Sequence, residues 1–457
     1  VFPVSEAYRA AVRDSHRATF RAEIWRGGQK LVDVEPVSGQ VTDDVRRAIR
    51  RTVSAELIAD REVVTVTAVF PTYAEITTVA GSYGALEVVE DSYATLGAAT
   101  SVESESSPDP LVPGLGAADP LNPYGNELRV WRGVQVESIL PYSYAALSDV
   151  AATYAALALE SPTYGGLERE GTVIAVDEEV PLGVFLLTEF DAVDNGTEIR
   201  LSVQGEDRAR RISRNRWTGP YRIASGTTAV SAIRGILEDR WDDVEVVTAT
   251  SSTATVGAAV LGQETDNDPW ADARRIAQAA GLDVYFDADG RAVIADVESV
   301  EGATADFEFT VGADGLLLAL RRSVNANTTY NGVIVTGEGT SADPVRAEAW
   351  DEDPTSPTYR YGPFGQVPRF YSSSLITSAA SAQATAESIL RKATGLAEGI
   401  EWSTIVDPAV QAGDVAKVVD EAARVNRVMV IDAVTVPFDV SGSMSAVGRT
   451  VSEEVAA

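Results

Sequence analysis

Residues 19–25 (TFRAEIW) and 30–34 (KLVDV) flank Arg26-Gly27-Gly28, and this stretch decides the fold class. Polar and apolar residues alternate on both sides, the period of a half-buried strand, and the glycine pair supplies the positive φ of a tight hairpin turn. Similar runs recur at 62–70, 127–131, 183–189 and 198–204, where β-branched and aromatic residues lie between Gly, Asn and Asp. Many short strands at such spacing predict barrels or sandwiches. A short helix is expected at 5–13.

The chain has 457 residues, enough for two to four domains, with 37 Lys and Arg against 68 Asp and Glu and a formal charge of −31. That balance opposes general affinity for nucleic acid or anionic lipid. With 45% hydrophobic residues the chain can bury a core, and no apolar run approaches the ~20 residues that span a bilayer. A soluble protein is expected. Cysteine is absent, which removes disulfides, thiolate metal sites and cysteine nucleophiles, and the single histidine, His16, forms no metal cluster or HExxH helix. No cofactor is expected. The first residues, Val1 to Glu6, lack the basic and apolar regions of a secretory signal, and Val1 is expected to follow a removed initiator methionine.

A decapeptide repeat interrupts the strand pattern. Tyr73, Tyr83 and Tyr93 head one triplet and Tyr144, Tyr154 and Tyr164 another, each in the unit [Ser/Thr]-Tyr-[Ala/Gly]-x-[Leu/Ile]. Six copies at period ten predict a repeat structure in which tyrosine and leucine share a face and stack on neighbouring copies. Sugar stacking by exposed rings is the alternative. The triplets are expected to pack together as one insertion, with 101–123 as a loop between them.

From Gly226 the period becomes helical. Val230, Ile233 and Leu237 follow a Thr227-Thr228 cap, and Asp268, Pro269 and Gly281 mark the cap, first turn and end of a second helix. Residues 282–286 and 291–295 then form a hairpin around Asp287-Ala288-Asp289-Gly290. Strands return at 307–310, 332–336, 414–419 and 427–436, around a helix at 378–394, and a last strand with a polar tail is expected after Ser441.

Candidate chemistry is sparse. Asp287 and Asp289 lack the further ligands of a calcium loop and fit turn chemistry. Asp266 and Asp268 resemble a cation pair, but Asp268 already serves as a cap. No Gly-x-Ser-x-Gly elbow occurs, and no carboxylate pair stands out for glycoside hydrolysis. The conspicuous groups are basic: Arg46, Arg47, Arg50 and Arg51, then Arg208, Arg210, Arg211, Arg214 and Arg216 beside Trp217. In an acidic chain these fit the acidic face of a second copy, ahead of a solvated or intrachain face or nucleic acid.

The quoted hairpin, Phe2-Pro3-Val4-Ser5, the run from Asn122-Pro123-Tyr124-Gly125-Asn126 to Trp131-Arg132-Gly133, Val180-Pro181-Leu182-Gly183-Val184-Phe185, Arg214-Asn215-Arg216-Trp217, Gly219-Pro220-Tyr221, Asp268-Pro269-Trp270 and Gly413-Asp414-Val415 resemble minor tail proteins of long-tailed (siphovirus-like) actinobacterial phages. The resemblance covers most of the chain outside the repeats and carries no catalytic signature. It implies a structural, non-enzymatic tail-tip hub, a homotrimer whose β-barrels close a ring below the tail tube. It also implies neighbouring distal tail, tail-tip and tape-measure proteins, a virion location after assembly in the host cytoplasm, and passage of genomic DNA past a carboxylate-rich lumen. The expected architecture is α+β, mainly β: a barrel domain from 1–69, 99–140 and 171–222; repeat insertions at 70–98 and 141–170; an α+β domain at 223–302; and a second barrel-type domain with one helix at 303–457. The competing expectation is a receptor-binding protein whose tyrosine repeats engage host cell-wall glycan. A cell-wall hydrolase is the third.

Overall fold

The computed structural model describes residues 2–14, 16–59, 63–69, 101–107, 111–112, 116, 119–140, 172–196, 198–262, 267–297, 304–312, 315–324, 329–337, 345–373, 375–376, 378–394 and 398–450. The first part of the chain supplies helix α1 (Glu6–Val12) and strands β1 (Ala18–Arg26), β2 (Gln29–Val34), β3 (Ser38–Asp44), β4 (Arg51–Ala59), β5 (Val63–Val69), β6 (Ser101–Ser107), β7 (Glu127–Leu140), β8 (Thr172–Asp194) and β9 (Ile199–Asp207). A middle stretch holds α2 (Ala209–Arg214), β10 (Tyr221–Ile223), α3 (Ala229–Arg240), β11 (Val246–Ala249), β12 (Ala259–Leu261), α4 (Pro269–Ala279), β13 (Leu282–Phe286) and β14 (Ala292–Asp296). The last part adds β15 (Phe307–Thr310), β16 (Leu317–Val324), β17 (Gly332–Gly337), β18 (Arg346–Trp350), β19 (Pro368–Ser373), α5 (Ala379–Thr394), β20 (Glu398–Thr404), β21 (Val415–Asp420), β22 (Val425–Pro437) and β23 (Met444–Thr450).

The molecule is mainly β, as the alternation predicts. Its opening hairpin pairs β1 with β2, from Ala22 opposite Val34 to Arg26 opposite Gln29, with Gly27 and Gly28 at positive φ. Both predicted helix caps are present: Thr228 accepts from the Ser231 amide, and Asp268 accepts from the amides of Trp270 and Ala271. Ser5 caps α1 in the same way, on the amide of Tyr8.

The two β regions expected as separate barrels share one sheet of 13 strands instead. Its order is β16-β20-β23-β22-β3-β4-β9-β8-β7-β1-β2, with β21 also on β22 and β15 on β21. The path is open at β16 and β2, so the described residues form no closed barrel. Strand β22 makes the join. Its first half pairs with β21, its second half with β3, and β23 lies along its other edge. Such pairing, with Val436 opposite Val41, links residues almost 400 positions apart and leaves no local trace in the sequence. Residues 101–107, expected as loop, pair with β5 from Ser101 opposite Val69 to Ser107 opposite Val63. The six repeat tyrosines and the segments 70–98 and 141–170 lie outside the described residues.

One core serves the whole sheet. Ile24, Val53, Phe185 and Leu201 from the first part join Phe309, Trp402, Met429 and Val434 from the last, all at most 4% exposed. Each such side chain contributes about 1.5–3 kcal/mol of burial, which holds the two regions together more firmly than the β3–β22 ladder alone. A second core lies between α3, α4 and the sheet β11-β14-β13. Strands β17 and helix α5, which the sequence placed with the last β region, contribute Val333, Val335 and Ile389 to this second core. The hydroxyl of Thr385 on α5 donates to the carbonyl of Ala279 at the end of α4, at 2.9 Å.

The two bodies meet at the β3–β4 turn, residues 45–50. Ile49 packs against the second core, and the Trp270 indole donates to the carbonyl of Ala48 at 2.8 Å. Replacing Trp270 by Phe keeps an aromatic ring but leaves that carbonyl without its donor. We expect a loss of roughly 1–3 kcal/mol in chemical denaturation, and an unchanged midpoint would remove this contact from the joint.

Candidate assembly surface

The structure divides the predicted arginines by depth. Arg50 and Arg51 are interior groups. Asp43, on the inward face of β3, accepts from Arg50 Nε at 2.6 Å and from Arg51 Nη2 at 2.8 Å. Arg50 also donates to the carbonyl of Ala412 and lies over the Tyr285 ring, 4.4 Å from its centre. Burial pushes the Asp43 carboxyl up, but Arg50 and Arg51 outweigh it and hold the group below its ordinary range. Asp207, at the end of β9, accepts from the amides of Arg51 and Ala209 at 2.9 and 2.8 Å. Here burial wins, and the carboxyl is pushed up to about 6.

Arg208 is also committed within the chain. Its guanidinium grips Glu127 through two bonds, at 2.9 and 2.8 Å, and donates to the carbonyl of Gly290 at 2.9 Å. It thereby ties β7, α2 and the β13–β14 turn together. Arg210 pairs with Glu206, four residues earlier at the end of β9, at 3.1 Å. Arg46, Arg47, Arg211, Arg214 and Arg216 are exposed. Arg46 and Arg47 flank Asp44, at 2.9 and 3.6 Å; Arg211 covers the Trp241 ring at 4.4 Å; Arg216 stands 3.6 Å from Asp268. These surface pairs contribute little to stability.

The other candidates have structural settings. His16 Nδ1 lies 3.0 Å from the carbonyl of Asp14. Asp287 accepts from the amide of Arg291 and pairs with its side chain, closing the turn that Gly290 permits at φ 79°. Asp266 lies outside the described residues. Among the described residues no group of three His, Asp or Glu is placed to hold a metal, and no helix is long and apolar enough to cross a membrane.

Sequence reading missed the acids that organise these arginines. Asp43 and Asp44 immediately precede the first cluster, and Glu206 and Asp207 precede the second. That adjacency was the available signal. The reading also missed an ordered ladder on the outward face of β1, β7 and β8. Arg21 lies over Trp131 at 3.8 Å and Arg129 over Trp25 at 4.0 Å. Glu23 accepts from Arg21, Trp25 and Lys30, at 2.6, 2.8 and 3.1 Å.

Two substitutions test the interior network. Asp43→Ala leaves Arg51 buried without its carboxylate, and we expect about 3–5 kcal/mol of lost stability in urea denaturation. Asp207 holds its proton more tightly folded than unfolded. Its contribution is therefore greatest below about pH 4 and is lost as pH rises through about 6. Asp207→Asn does not titrate, so its stability relative to the parent chain should improve steadily between pH 4 and pH 7. A difference that is flat across this range would show that Asp207 is not strained by burial.

No protein-family model matches the chain, and no curated protein matches it. Two solved structures share its fold along nearly their whole length. A tail protein from Neisseria meningitidis MC58 aligns over 94% of this chain and 96% of its own, with a TM-score of 0.55 at 10% identity. A 43 kDa tail protein of prophage MuSo2 from Shewanella oneidensis aligns over 94% and 98%, with a TM-score of 0.53 at 11% identity. The chain thus shares the fold of these two tail proteins at 10% and 11% sequence identity.

Proposed function

We propose that this chain is a structural subunit of a phage tail tip, in which three copies close a ring below the tail tube, join it to the host-facing parts and let genomic DNA pass. The observation that carries this reading is the fold shared with two tail proteins across 94% of the chain. The motifs that resemble actinobacterial tail proteins add the class of phage. Neighbouring distal tail and tape-measure proteins, a virion location and the absence of a catalytic role belong to the same proposal.

Ring closure requires one patch to meet a different patch on the next copy. Two features suit such a contact. Among the described residues the sheet path ends at β16 and β2, and five exposed arginines stand on a chain of net charge −31. Arg50, Arg51 and Arg208, each bound to an acid of the same chain, belong to the monomer.

The receptor-binding reading draws support from one placement. Residues 70–100 connect the paired strands β5 and β6, and 141–171 connect the paired strands β7 and β8. Both tyrosine triplets are therefore hairpin connections, where chain can be added or removed without breaking a ladder. They are suited to contact with host glycan.

Light scattering of the purified chain should find a trimer at low salt, and a monomer at every concentration would sink the hub reading. Arg46→Glu with Arg47→Glu should weaken the trimer and its salt dependence; an unaltered trimer would exclude these two residues from the interface. Replacing 141–171 by a short turn should preserve the trimer, and loss of host-cell binding by that variant would favour a receptor-binding role. Host cell walls in a zymogram should stay intact, and a cleared band would identify an enzyme.

A further inference from the structure

The 13-stranded sheet carries two different outward faces. On β1, β7 and β8 the face is crowded with charge, in the Arg21, Glu23, Lys30, Arg129 and Glu179 network. A few strands away the charge disappears. Ser403 lies opposite Ser445, Ser445 opposite Thr435, Thr435 opposite Thr42, and Thr42 opposite Thr52. These five hydroxyl residues form one continuous row across β20, β23, β22, β3 and β4, roughly 19 Å wide at about 4.8 Å per strand. All five are half-exposed, and the hydroxyls of Thr42 and Thr435 touch at 3.2 Å. A second row, Gln40, Ser54 and Gln204, lies beside it and is exposed.

The inward neighbours prove that this is a true face of the sheet. Val41, Val53, Val434 and Ala446 alternate with these residues and are buried in the core. Charges stand only at the margins. Glu206 continues the first row on β9 and is paired with Arg210; the exposed Glu189 continues the second row on β8, opposite Gln204; Arg47 is paired with Asp44; Glu56 and Arg200 begin the rows beyond. A shallow depression of about 240 Å³ lies over this strip, lined by Gln40, Thr42, Thr52, Ser54 and Gln204 together with Arg47 and Glu206.

In a chain in which 23% of residues are charged, a strip of eight adjacent neutral hydroxyl and amide side chains is a chemical exception. It makes a poor protein-docking surface, since the centres of interfaces favour aromatic residues, Met and Arg and are depleted in Ser. Its cation Arg47 is paired with Asp44 and its carboxylate Glu206 with Arg210, so the strip offers little net charge either to condense on phosphate or to repel it. Short hydroxyls and amides remain hydrated and offer only weak, exchangeable hydrogen bonds to a moving polyanion.

We propose that this strip, from Gln40, Thr42, Thr52 and Ser54 to Gln204, Thr435 and Ser445, is the wall along which DNA slides through the assembled ring. The inference rests on the hub reading and replaces the expected carboxylate-rich lumen by a neutral, hydrated one.

Because the chain contains no cysteine, a single introduced thiol reports its own surroundings. Ser54→Cys and Gln204→Cys are the probes, with Val440→Cys, 74% exposed on a loop, as the accessible control. Each full-length variant is assembled, checked by light scattering, and treated with a small maleimide or with a poly(ethylene glycol) maleimide whose coil is wider than a DNA duplex. A luminal strip predicts that both probes react with the small reagent and lose reaction with the large one, while Val440→Cys reacts with both. Reaction of both probes with the large reagent at the control's rate would place the strip on the outside and overturn the inference while the ring stands. Reaction with neither reagent would make it a protein interface and overturn it equally. A chain that stays monomeric removes the ring, and with it the hub reading on which the inference depends.

Discussion

Asp43 is the group on which the arrangement of this molecule depends. It is buried on the inner face of β3 and binds two guanidiniums, Arg50 and Arg51, from the turn and strand that follow. Desolvating three charges together costs several kcal/mol for each ion, which only tight and complete pairing offsets. Distant parts of the chain add to the pairing, and among the described residues only Nε of the Arg51 guanidinium donors is left without a partner. The Ala412 amide reaches Asp43 at 3.3 Å, the Ala412 carbonyl receives Arg50, and the backbone amide of Arg51 is held by Asp207. The β3–β4 turn is held by these bonds, and it presents Ala48 and Ile49 to the α+β body. The cluster converts a hairpin turn into a joint between two cores.

Strand β22 performs the corresponding task within the sheet. Its 13 residues are long enough to pair with β21 and β3 in succession along one edge. The register shift near Asp432 lets the strand bend between the two partners, and the Asp432 carbonyl accepts from the Val45 amide beside the joint. Seam and joint are therefore adjacent, and strain at either is felt by the other. The N-terminal helix braces the same sheet at β7. Tyr8 is fully buried there among Val134, Val136 and Val180, and Glu178 accepts from both the amide and the hydroxyl of Ser5, at 2.7 and 2.5 Å.

Much of the secondary structure was legible. The Gly27-Gly28 hairpin, the capped helices after Thr228 and Asp268, and the turn at Asp287-Ala288-Asp289-Gly290 form where their local chemistry says they should, because caps and positive-φ glycines act within a few residues. Strands β3 and β4 were not recognised. Ser38-Gly39-Gln40-Val41-Thr42-Asp43-Asp44 has low strand propensity and carries two acids, yet it lies near the centre of the sheet because Arg51 and Arg50 neutralise Asp43 and because Gly39 fits closely against the backbone of Ser54. The arginine clusters were visible as clusters, but their division into buried and exposed members was not. That division depends on which acids face them across strands.

By itself the sequence determined the strand-rich class, the helix ends, the absence of thiol and histidine-cluster chemistry, and the period-ten tyrosine repeats. These follow from composition and from interactions between near neighbours, which act whatever the rest of the chain does. Only the tertiary structure decided that the two β regions are one sheet over one core, that Arg50, Arg51 and Arg208 are internal ties, and that neutral residues from β3, β4, β9, β20, β22 and β23 line up in a single strip. Each of these rests on register between strands far apart in the chain. A one-residue slip would turn every side chain of a strand to the opposite face, and register is fixed by the packing of the whole core rather than by any segment within it.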